Sequence, residues 1–319
     1  MSCKFQITEV NKSTWQEFIL KSEESSIFSD YSINQIVNDE NIFYIINKGD
    51  QEVAGCSYNL NKSRSEIVLN DFIIHSGLIY SLPKDLKKTK INAFKYEINE
   101  FLIQFLTSKF EKISFQSTTY EIDARPWLWH NYNELKGKFK LDLRYTSYLD
   151  ISLELDKLKS NFNSLRKRNI KEGINSGSKV EKSEDVNLIS DLYSKMMEKY
   201  GEDQSLSKIE RLTELAKYLL KSKKGDLFVL KDERGKVQYA VLIAYFKNKA
   251  YYLFGAGLRD EKKNYLASYT FWEVFDHIKT QGIDIFDFEG INSPNRGAFK
   301  LSFGGEIKPY FKFSYDKNR

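Results

Sequence analysis

The chain has 319 residues, of which 41% are hydrophobic and 15% aromatic, so it can bury a sizeable core and disorder throughout is excluded. Its length is about that of two ordinary domains. The formal net charge of +5 is compatible with a phosphate-bearing ligand but does not require one.

Cysteine and histidine are too few and too scattered for the usual metal and disulfide frameworks. Cys3 and Cys56 form no Cys-x-x-Cys pair, and His75, His130 and His277 lie far apart in the sequence. We therefore predict no metal site and no disulfide. The start of the chain lacks a signal-peptide core, and no stretch approaches the roughly 20 apolar residues that span a bilayer. These features predict a cytoplasmic protein without a transmembrane segment.

The first half of the chain alternates short strands with one long helix. Apolar residues at helical spacing predict the helix Ile91–Leu106. A turn at Gly49-Asp50 joins the first two strands into a hairpin. The predicted strands are Asn41–Asn47, Val53–Leu60, Glu66–Ile74, Gly77–Tyr80 and Ile113–Gln116.

An aromatic segment, Glu121–Tyr132, closes this half. It gathers Arg125, Trp129, His130 and Tyr132 around a proline. Such a group can form a platform for a nucleobase or a sugar. The alternative is a loop that is anchored against the core. His130 is the histidine best placed for proton transfer, although a lone histidine more often has a structural role.

A strand, Tyr145–Leu155, and a basic helix, Asp156–Asn175, follow. The helix carries Arg166 and Arg168, which could bind phosphate groups. The alternative is that this run of charge is the solvated face of an ordinary helix.

The second half repeats the order hairpin, strand, helix, strand. This recurrence predicts a structural duplication, and the alternative is that such an order is common in α+β proteins. The predicted elements are two helices, Asn187–Tyr200 and Ser207–Lys221, a hairpin of Leu227–Leu230 with Val237–Phe246, a strand Ala250–Ala256, a helix with an apolar face from Leu266 to Ile278, and a strand Ile283–Glu289.

The last of these strands ends in two carboxylates. Alternation along the strand places Asp287 and Glu289 on one face, and Phe286 and Phe288 on the other. Carboxylates here could orient an amine nucleophile or accept its proton. The alternative is that they bind backbone amides or an arginine at the strand end.

A loop, Asn292–Gly297, and the pair Phe299-Lys300 come next. A lysine held in this position could neutralise a phosphate or stabilise an oxyanion. An ordinary turn with a solvated lysine is the alternative. We expect the pair Gly304-Gly305 to adopt a backbone conformation, or permit a close approach, that a Cβ atom would forbid.

Several common catalytic motifs do not occur in the sequence. It has no Walker loop, no Gly-x-Gly-x-x-Gly after a strand, no Gly-x-Ser-x-Gly elbow and no His-Glu-x-x-His. This favours a reaction that depends on positioning rather than on a covalent nucleophile.

The segments LRKRNIKEGINSG, FWEVFDHIKTQGIDIFDFEG and FKLSFGG resemble the FemABX family, most strongly between Tyr145 and Tyr315. The resemblance implies an α+β fold of two tandem GNAT (N-acetyltransferase-like) domains, with mixed sheets flanked by helices. We place the first domain at 1–149 and the second at 150–319, with the final strands, about 306–319, packing back on the first.

The resemblance also implies a function. It is the transfer of an acyl group, typically aminoacyl from aminoacyl-tRNA, to an amine of a cell-envelope precursor. The acceptor would be a peptidoglycan peptide or a nucleotide- or lipid-linked amino sugar, which allows peripheral contact with a membrane. No cofactor is implied beyond the co-substrate.

Residue by residue, Lys300 resembles the family's lysine near the reacting or phosphate-bearing end, Arg168 its phosphate-contacting arginine, and Asp287 its strand-end acid. The catalytic candidates are Lys300, Asp287, Glu289 and His130. The substrate-binding candidates are Arg168, Arg166, Phe299, Arg125, Trp129, Tyr132 and Asn292.

The sequence departs from the family pattern in ways that leave the substrates open. Tyr31 and Gln35 stand where many members have a Trp-x-x-x-Lys pattern that helps bind the precursor's diphosphate. No long heptad hairpin is inserted. The block DARPWLWHNY is more similar to members associated with surface-polysaccharide synthesis, so the acceptor could be an amino sugar.

Two alternatives remain for the function. One is an acyl-CoA-dependent N-acyltransferase, although GAGLRDEKKNYLAS lacks the usual pyrophosphate loop. The other is a non-catalytic module that binds tRNA or anionic glycans through the basic helix and the run Lys84–Lys90.

Overall fold

The computed structural model describes residues 5–82, 86–200, 205–257 and 263–319, without the side chains of residues 199 and 200. The chain forms two compact units. Unit 1 combines the residues up to Arg144 with Pro309–Arg319, and unit 2 is Tyr145–Lys308. The domain limits drawn from the sequence, 1–149 and 150–319, remain a prediction.

Unit 1 contains an antiparallel sheet in the strand order β1-β2-β3-β5, and β6 pairs with both β4 and β13. Its elements are β1 (Gln6–Glu9), α1 (Lys12–Lys21), a 3-10 turn (Ile27–Ser29), α2 (Tyr31–Val37), β2 (Asn41–Lys48), β3 (Gln51–Asn59), β4 (Glu66–Ile67), β5 (Gly77–Tyr80), α3 (Lys88–Lys109), β6 (Lys112–Gln116), α4 (Arg125–Trp129), the start of β7 (Phe139–Asp150) and most of β13 (Glu306–Asp316).

Glu121 is a buried and well-partnered carboxyl of unit 1. Glu121 accepts hydrogen bonds from the Tyr80 hydroxyl at 2.9 Å and from Asn99 Nδ2 at 3.3 Å. The Asn99 side chain in turn accepts from the Trp127 indole at 2.8 Å. Burial raises the pKa of Glu121 to about 7, although these hydrogen bonds act to lower it.

Unit 2 is built on a sheet in the order β7-β12-β11-β10-β9-β8, in which β11 and β12 are parallel and the pairings of β10 with its neighbours are antiparallel. Its elements are the end of β7, α5 (Leu155–Ser160), α6 (Ser164–Asn175), β8 (Lys179–Ser183), α7 (Asn187–Tyr200), α8 (Leu206–Lys221), β9 (Gly225–Lys231), β10 (Val237–Phe246), β11 (Lys249–Gly257), α9 (Leu266–Lys279), β12 (Ile285–Asp287), α10 (Pro294–Leu301) and the start of β13.

A cluster of buried phenylalanines holds α9 against β12. Phe271 and Phe275 of α9 meet Phe286 and Phe288 edge-on, with ring centroids 5.0 to 6.1 Å apart. Phe303 stacks on Phe288 at 5.3 Å. Edge-to-face pairs of this kind add to the free energy gained by burying the rings. Because Phe286 and Phe288 both enter this cluster, the side chain between them is directed to the opposite face of the strand.

The strand predicted as Tyr145–Leu155 ends at Asp150, and three further local predictions for unit 2 were wrong. The single helix Asp156–Asn175 is two helices, because Asn163 caps the second by accepting a hydrogen bond from the Arg166 amide at 2.9 Å. The predicted loop Asn292–Gly297 instead starts a helix that has a proline in its first turn.

The last wrong prediction concerns the strand Ile283–Glu289, which is extended only over Ile285–Asp287. Glu289 has a φ of +57°, which is incompatible with a continuing strand.

The order of elements agrees with a duplication. The hairpin β2–β3 followed by β5, α3 and β6 in unit 1 matches the hairpin β9–β10 followed by β11, α9 and β12 in unit 2.

Close contact between α6 and α9 depends on a glycine. A Cβ atom on Gly173 would lie 2.4 Å from both Cβ and Cγ of Tyr269. These atoms are at the root of the side chain and cannot rotate away. We expect Gly173→Ala to lower the free energy of unfolding by roughly 1–3 kcal/mol, despite alanine's better helix propensity. The midpoint of urea unfolding measures this, with Glu172→Ala at the exposed neighbouring position as the control. Equal midpoints would contradict the close contact.

Candidate active site: a buried carboxyl pair and a lysine

The site lies in unit 2, where β11 continues past the end of β12. The two strands pair from Lys249 and Ile285 to Tyr251 and Asp287, and β11 then runs on to Gly257. The chain leaves β12 at Asp287 and turns at Glu289 toward α10. This end of the sheet therefore carries the polar side chains of three consecutive segments: β12, the turn after it and α10.

Asp287 is the last residue of β12 and is completely buried. Its Oδ1 atom accepts hydrogen bonds from the Thr146 hydroxyl at 2.5 Å and from the Glu289 amide at 2.8 Å. Its Oδ2 atom has no hydrogen-bond partner among the described residues. Burial raises the pKa of Asp287 to about 6, because the two hydrogen bonds only partly offset the loss of water.

Glu289 is the second buried carboxyl, and its Oε1 atom also has no hydrogen-bond partner within the described part of the chain. Burial raises its pKa well above the ordinary value, and the neighbouring Asp287 raises it further. Because an ionised Asp287 raises the pKa of Glu289, the two carboxyls titrate as an interacting pair. The backbone of Glu289 lies in the left-handed region, which is uncommon for a residue other than glycine.

Lys300 on α10 interacts electrostatically with both carboxyls and acts to lower the pKa of each, and Lys249 of β11 acts in the same direction on Asp287. The Nζ atom of Lys300 donates to the Gly290 carbonyl at 3.0 Å and lies 5.1 Å from the centroid of the Tyr252 ring. Burial lowers the pKa of Lys300, while Glu289 and Asp287 act in the opposite direction. Because burial disfavours the charged form of this side chain, Lys300 would readily give up its proton or pair with an anion that enters the site.

Two tyrosines border the site from β10 and β11. Tyr239 and Tyr252 interact through their hydroxyls, and burial raises the pKa of both, so both remain protonated. The position of Gly255 matters here, because a Cβ atom would lie 2.4 Å from the Tyr252 hydroxyl and 2.7 Å from that of Tyr239. The sequence analysis missed Thr146 and both tyrosines, since no motif marks them.

Arg166 forms a second cationic position, at the contact of α6, α9 and α10. Its guanidinium carbon lies 4.8 Å from the centre of the Phe299 ring, and its Nη1 atom donates to the Ser268 hydroxyl at 2.5 Å. The side chain is buried, its Nε atom has no partner among the described residues, and burial lowers its pKa. Arg168 is exposed, so the structure brings Arg166, not Arg168, to the helix that carries Lys300.

Asn292 has a clear positioning role in unit 2. Its side chain accepts from the Tyr145 amide at 2.8 Å and donates to the Tyr145 carbonyl at 3.1 Å. This two-point contact ties the segment before α10 to β7. Downstream of α10, Gly304 has a φ of +80°, and a Cβ atom on Gly305 would lie 2.4 Å from the Ser147 hydroxyl. Gly304 therefore has a backbone conformation that favours glycine, and Gly305 allows a close approach that a Cβ atom would obstruct, as expected.

The remaining candidates lie together in unit 1. Asp123 holds Arg125 through two hydrogen bonds of 2.7 and 2.8 Å. Trp129 and Tyr132 are exposed. His130 is half-buried beside the rings of Phe139 and Tyr315, and burial lowers its pKa. The candidate residues thus form two groups, one in each unit.

The sequence predicts neither a metal site nor a membrane-spanning helix. Within residues 5–82, 86–200, 205–257 and 263–319, no group of three or more acidic, histidine or cysteine side chains is arranged to hold a metal ion. No helix in these same ranges is long and apolar enough to cross a membrane. Two stretches lie partly outside the described residues: GAGLRDEKKNYLAS, which stands where an acyl-CoA pyrophosphate loop would be expected, and the run Lys84–Lys90.

The raised pKa of Asp287 has a consequence for stability. Because the folded state holds this proton more tightly than the unfolded chain, the free energy of unfolding falls as pH rises from about 4 to about 7. Asp287→Asn cannot titrate and keeps an oxygen for both hydrogen bonds. Over this pH range, we expect the decrease in the free energy of unfolding to be smaller in the variant than in the wild type, by up to about 3 kcal/mol.

Urea unfolding at several pH values measures this difference. Asp284→Asn, at an exposed position just before β12, is the control and should follow the wild-type curve. A wild-type pH dependence in Asp287→Asn would show that Asp287 does not titrate in this range.

Comparison with known proteins extends the description of the fold. No protein-family model and no curated protein matches the sequence. A structure of FemX matches with a TM-score of 0.65 and 12% identity, over 96% of each chain. The structure of L-PGS from Bacillus licheniformis matches with a TM-score of 0.57 and 12% identity, over 98% of this chain and 93% of that one.

A tandem GNAT protein from the clavulanic acid biosynthesis pathway matches with a TM-score of 0.55 and 7% identity, over 98% of each chain. At these identities the likeness concerns the fold. It confirms the predicted α+β architecture of two tandem GNAT domains, and the chain has the fold of FemX and of tandem GNAT proteins.

Proposed function

We propose that the protein is an N-acyltransferase of FemABX type, which moves an aminoacyl or acyl group onto an amine of a cell-envelope precursor. The observation that carries this proposal is the buried group of Asp287, Glu289 and Lys300 in unit 2. Two buried carboxyl oxygens have no partner among the described residues, and a lysine with a lowered pKa lies beside them. Perturbed titratable groups arranged in this way are typical of sites that move protons.

The reaction requires one bond to form and one to break. The acceptor nitrogen attacks the carbonyl carbon of an activated ester or thioester, a carbon–nitrogen bond forms, and the carbon–oxygen or carbon–sulfur bond to the donor breaks. One proton moves from the nitrogen to the departing oxygen or sulfur. Asp287, with a pKa of about 6, accepts the proton from the attacking amine at neutral pH.

Glu289 has the complementary role. Burial raises its pKa well above the ordinary value, which favours the protonated form that can donate to the leaving atom. The proton that Asp287 has taken from the amine then passes to Glu289, which restores the starting state. Two carboxyls whose environments separate their pKa values can serve as base and acid in one reaction. The hydrogen bond between the Glu289 amide and Asp287 fixes the two groups in one turn of backbone.

The two cations stabilise negative charge. Lys300 would neutralise the oxygen of the tetrahedral intermediate or a phosphate of the donor. Arg166, packed on Phe299 one residue before Lys300, supports the same helix and offers its unpartnered Nε–H group toward an anion. Arg168, which the family resemblance suggests as a phosphate contact, is exposed and would meet the substrate from the surface of α6.

Replacing Lys300 tests its role directly. We expect Lys300→Ala to reduce kcat by about 100- to 1000-fold, because removing one preorganised group that stabilises an oxyanion has effects of this size. Lys308→Ala, which removes a half-exposed lysine of β13 from the same unit, is the control. Turnover of Lys300→Ala within a few-fold of the wild type, with unchanged thermal unfolding, would show that Lys300 has no part in the chemistry.

The donor and the acceptor require a separate experiment. Mass spectrometry would follow UDP-linked amino sugars and muramyl peptides that are incubated with the protein and either a mixture of charged tRNAs or a set of acyl-CoAs. A mass gain on an acceptor only with charged tRNAs is the expected result and identifies the aminoacyl group. A mass gain only with acyl-CoA would identify acyl-CoA, instead of aminoacyl-tRNA, as the donor. No gain in any reaction would contradict the proposed acceptors.

A further inference from the structure

Exposed apolar side chains are concentrated in unit 1 between residues 122 and 135, here called the apolar patch. Large apolar side chains are seldom this exposed in groups on a soluble protein, and such groups mark interaction surfaces. The patch comprises five side chains with exposed fractions of 79, 47, 51, 68 and 97%: Ile122, Leu128, Trp129, Tyr132 and Leu135.

The backbone that carries the patch is well fixed. Asn131, with a φ of +53°, donates from Nδ2 to the Gly137 carbonyl at 2.9 Å and so closes the loop that bears Tyr132 and Leu135. Beneath the loop, Trp127 is almost fully buried and anchors α4. The exposure of the five side chains therefore belongs to the folded protein, and does not come from an unfolded segment.

The charge next to the patch is positive. Lys136, Lys138 and Lys140 follow Leu135 in the chain, and all three are exposed. Between Tyr132 and Leu141 the chain carries three lysines and one acidic residue, Glu134, and Asp123 binds Arg125 as an ion pair of 2.7 Å. A partner that complements this surface is apolar in its interior and negatively charged at its edge.

A membrane surface with anionic headgroups has both properties. Tryptophan and tyrosine favour the interface between headgroups and acyl chains, aliphatic side chains enter the acyl region, and lysines bind the anionic headgroups. Single-stranded nucleic acid fits less well, because bases stack on aromatic rings, whereas three of the five side chains here are aliphatic.

We propose that the patch and its three lysines dock unit 1 on an anionic lipid surface. This goes beyond the proposed acyl transfer and is independent of it, because it uses no residue of the site in unit 2. It also gives Trp129 and Tyr132 a role that differs from the substrate platform predicted from the sequence. The aliphatic members of the patch separate the two roles, since none of them was a predicted substrate contact.

Vesicle flotation tests the proposal with the full chain. Vesicles of phosphatidylcholine alone are compared with vesicles that also contain phosphatidylglycerol, at low and high salt. We expect binding to the anionic vesicles that weakens with salt. We expect the double variant Ile122→Ser/Leu135→Ser to reduce partitioning by about tenfold or more, and Lys136→Glu/Lys140→Glu to reduce it by at least about fivefold per lysine.

The matched control is Leu20→Ser/Leu206→Ser, which removes two leucines that are 67% and 77% exposed elsewhere on the surface and should bind as the wild type does. Three results would overturn the proposal: absence of binding to anionic vesicles, equal binding by the patch variants and the control, or equal binding to neutral vesicles. A change in oligomeric state caused by Ile122→Ser/Leu135→Ser, without loss of vesicle binding, would instead assign the patch to a second copy of the chain.

Discussion

Burial of a carboxyl group at the end of an apolar strand is the constraint around which unit 2 is organised. The alternation of β12 places Phe286 and Phe288 in the aromatic cluster against α9, and so directs Asp287 to the other face. A charge without water is costly unless hydrogen bonds replace the lost solvation. Thr146 and the Glu289 amide supply two such bonds, and the second requires the chain to turn immediately after the strand. The strand end, the left-handed Glu289 and the return to α10 are therefore linked consequences of one buried group.

The comparison between the two units shows why the site is placed in unit 2. Each unit has a buried carboxyl after the strand that follows its long helix, namely Glu121 after β6 and Glu289 after β12. Glu121 is bound by Tyr80 and Asn99, and such a satisfied network stabilises a fold and resists change. Glu289 and Asp287 each retain an oxygen without a partner in the described residues, and Lys300 with its lowered pKa lies close by. A duplicated fold thus carries a fully partnered carboxyl in one copy and, in the other, two carboxyls that each keep an oxygen without a partner in the described residues.

Much of this could be predicted from the sequence, because periodicity reflects local geometry. Strand alternation placed Asp287 opposite the phenylalanines, and helical spacing located α3 and α9 well. The choice between Arg166 and Arg168 could not be made in this way. The two lie on different faces of one helix, and which face is buried depends on where Asn163 starts that helix and on the close approach that Gly173 allows. Thr146, Tyr239 and Tyr252 reach the site only through sheet pairing, which brings Thr146 to Asp287 across 141 positions of the sequence.

The aromatic segment of unit 1 shows a further limit of sequence reasoning. Two interpretations were open for Glu121–Tyr132, a platform for a ligand or an anchor against the core, and composition alone could not separate them. In the structure the two tryptophans differ: Trp127 is buried and donates to Asn99, whereas Trp129 lies exposed beside Arg125. The difference follows from the short helix α4, because residues two apart on a helix face different directions. One face of α4 is therefore part of the core of unit 1, and its other face is exposed, as is the loop that leads to Leu135.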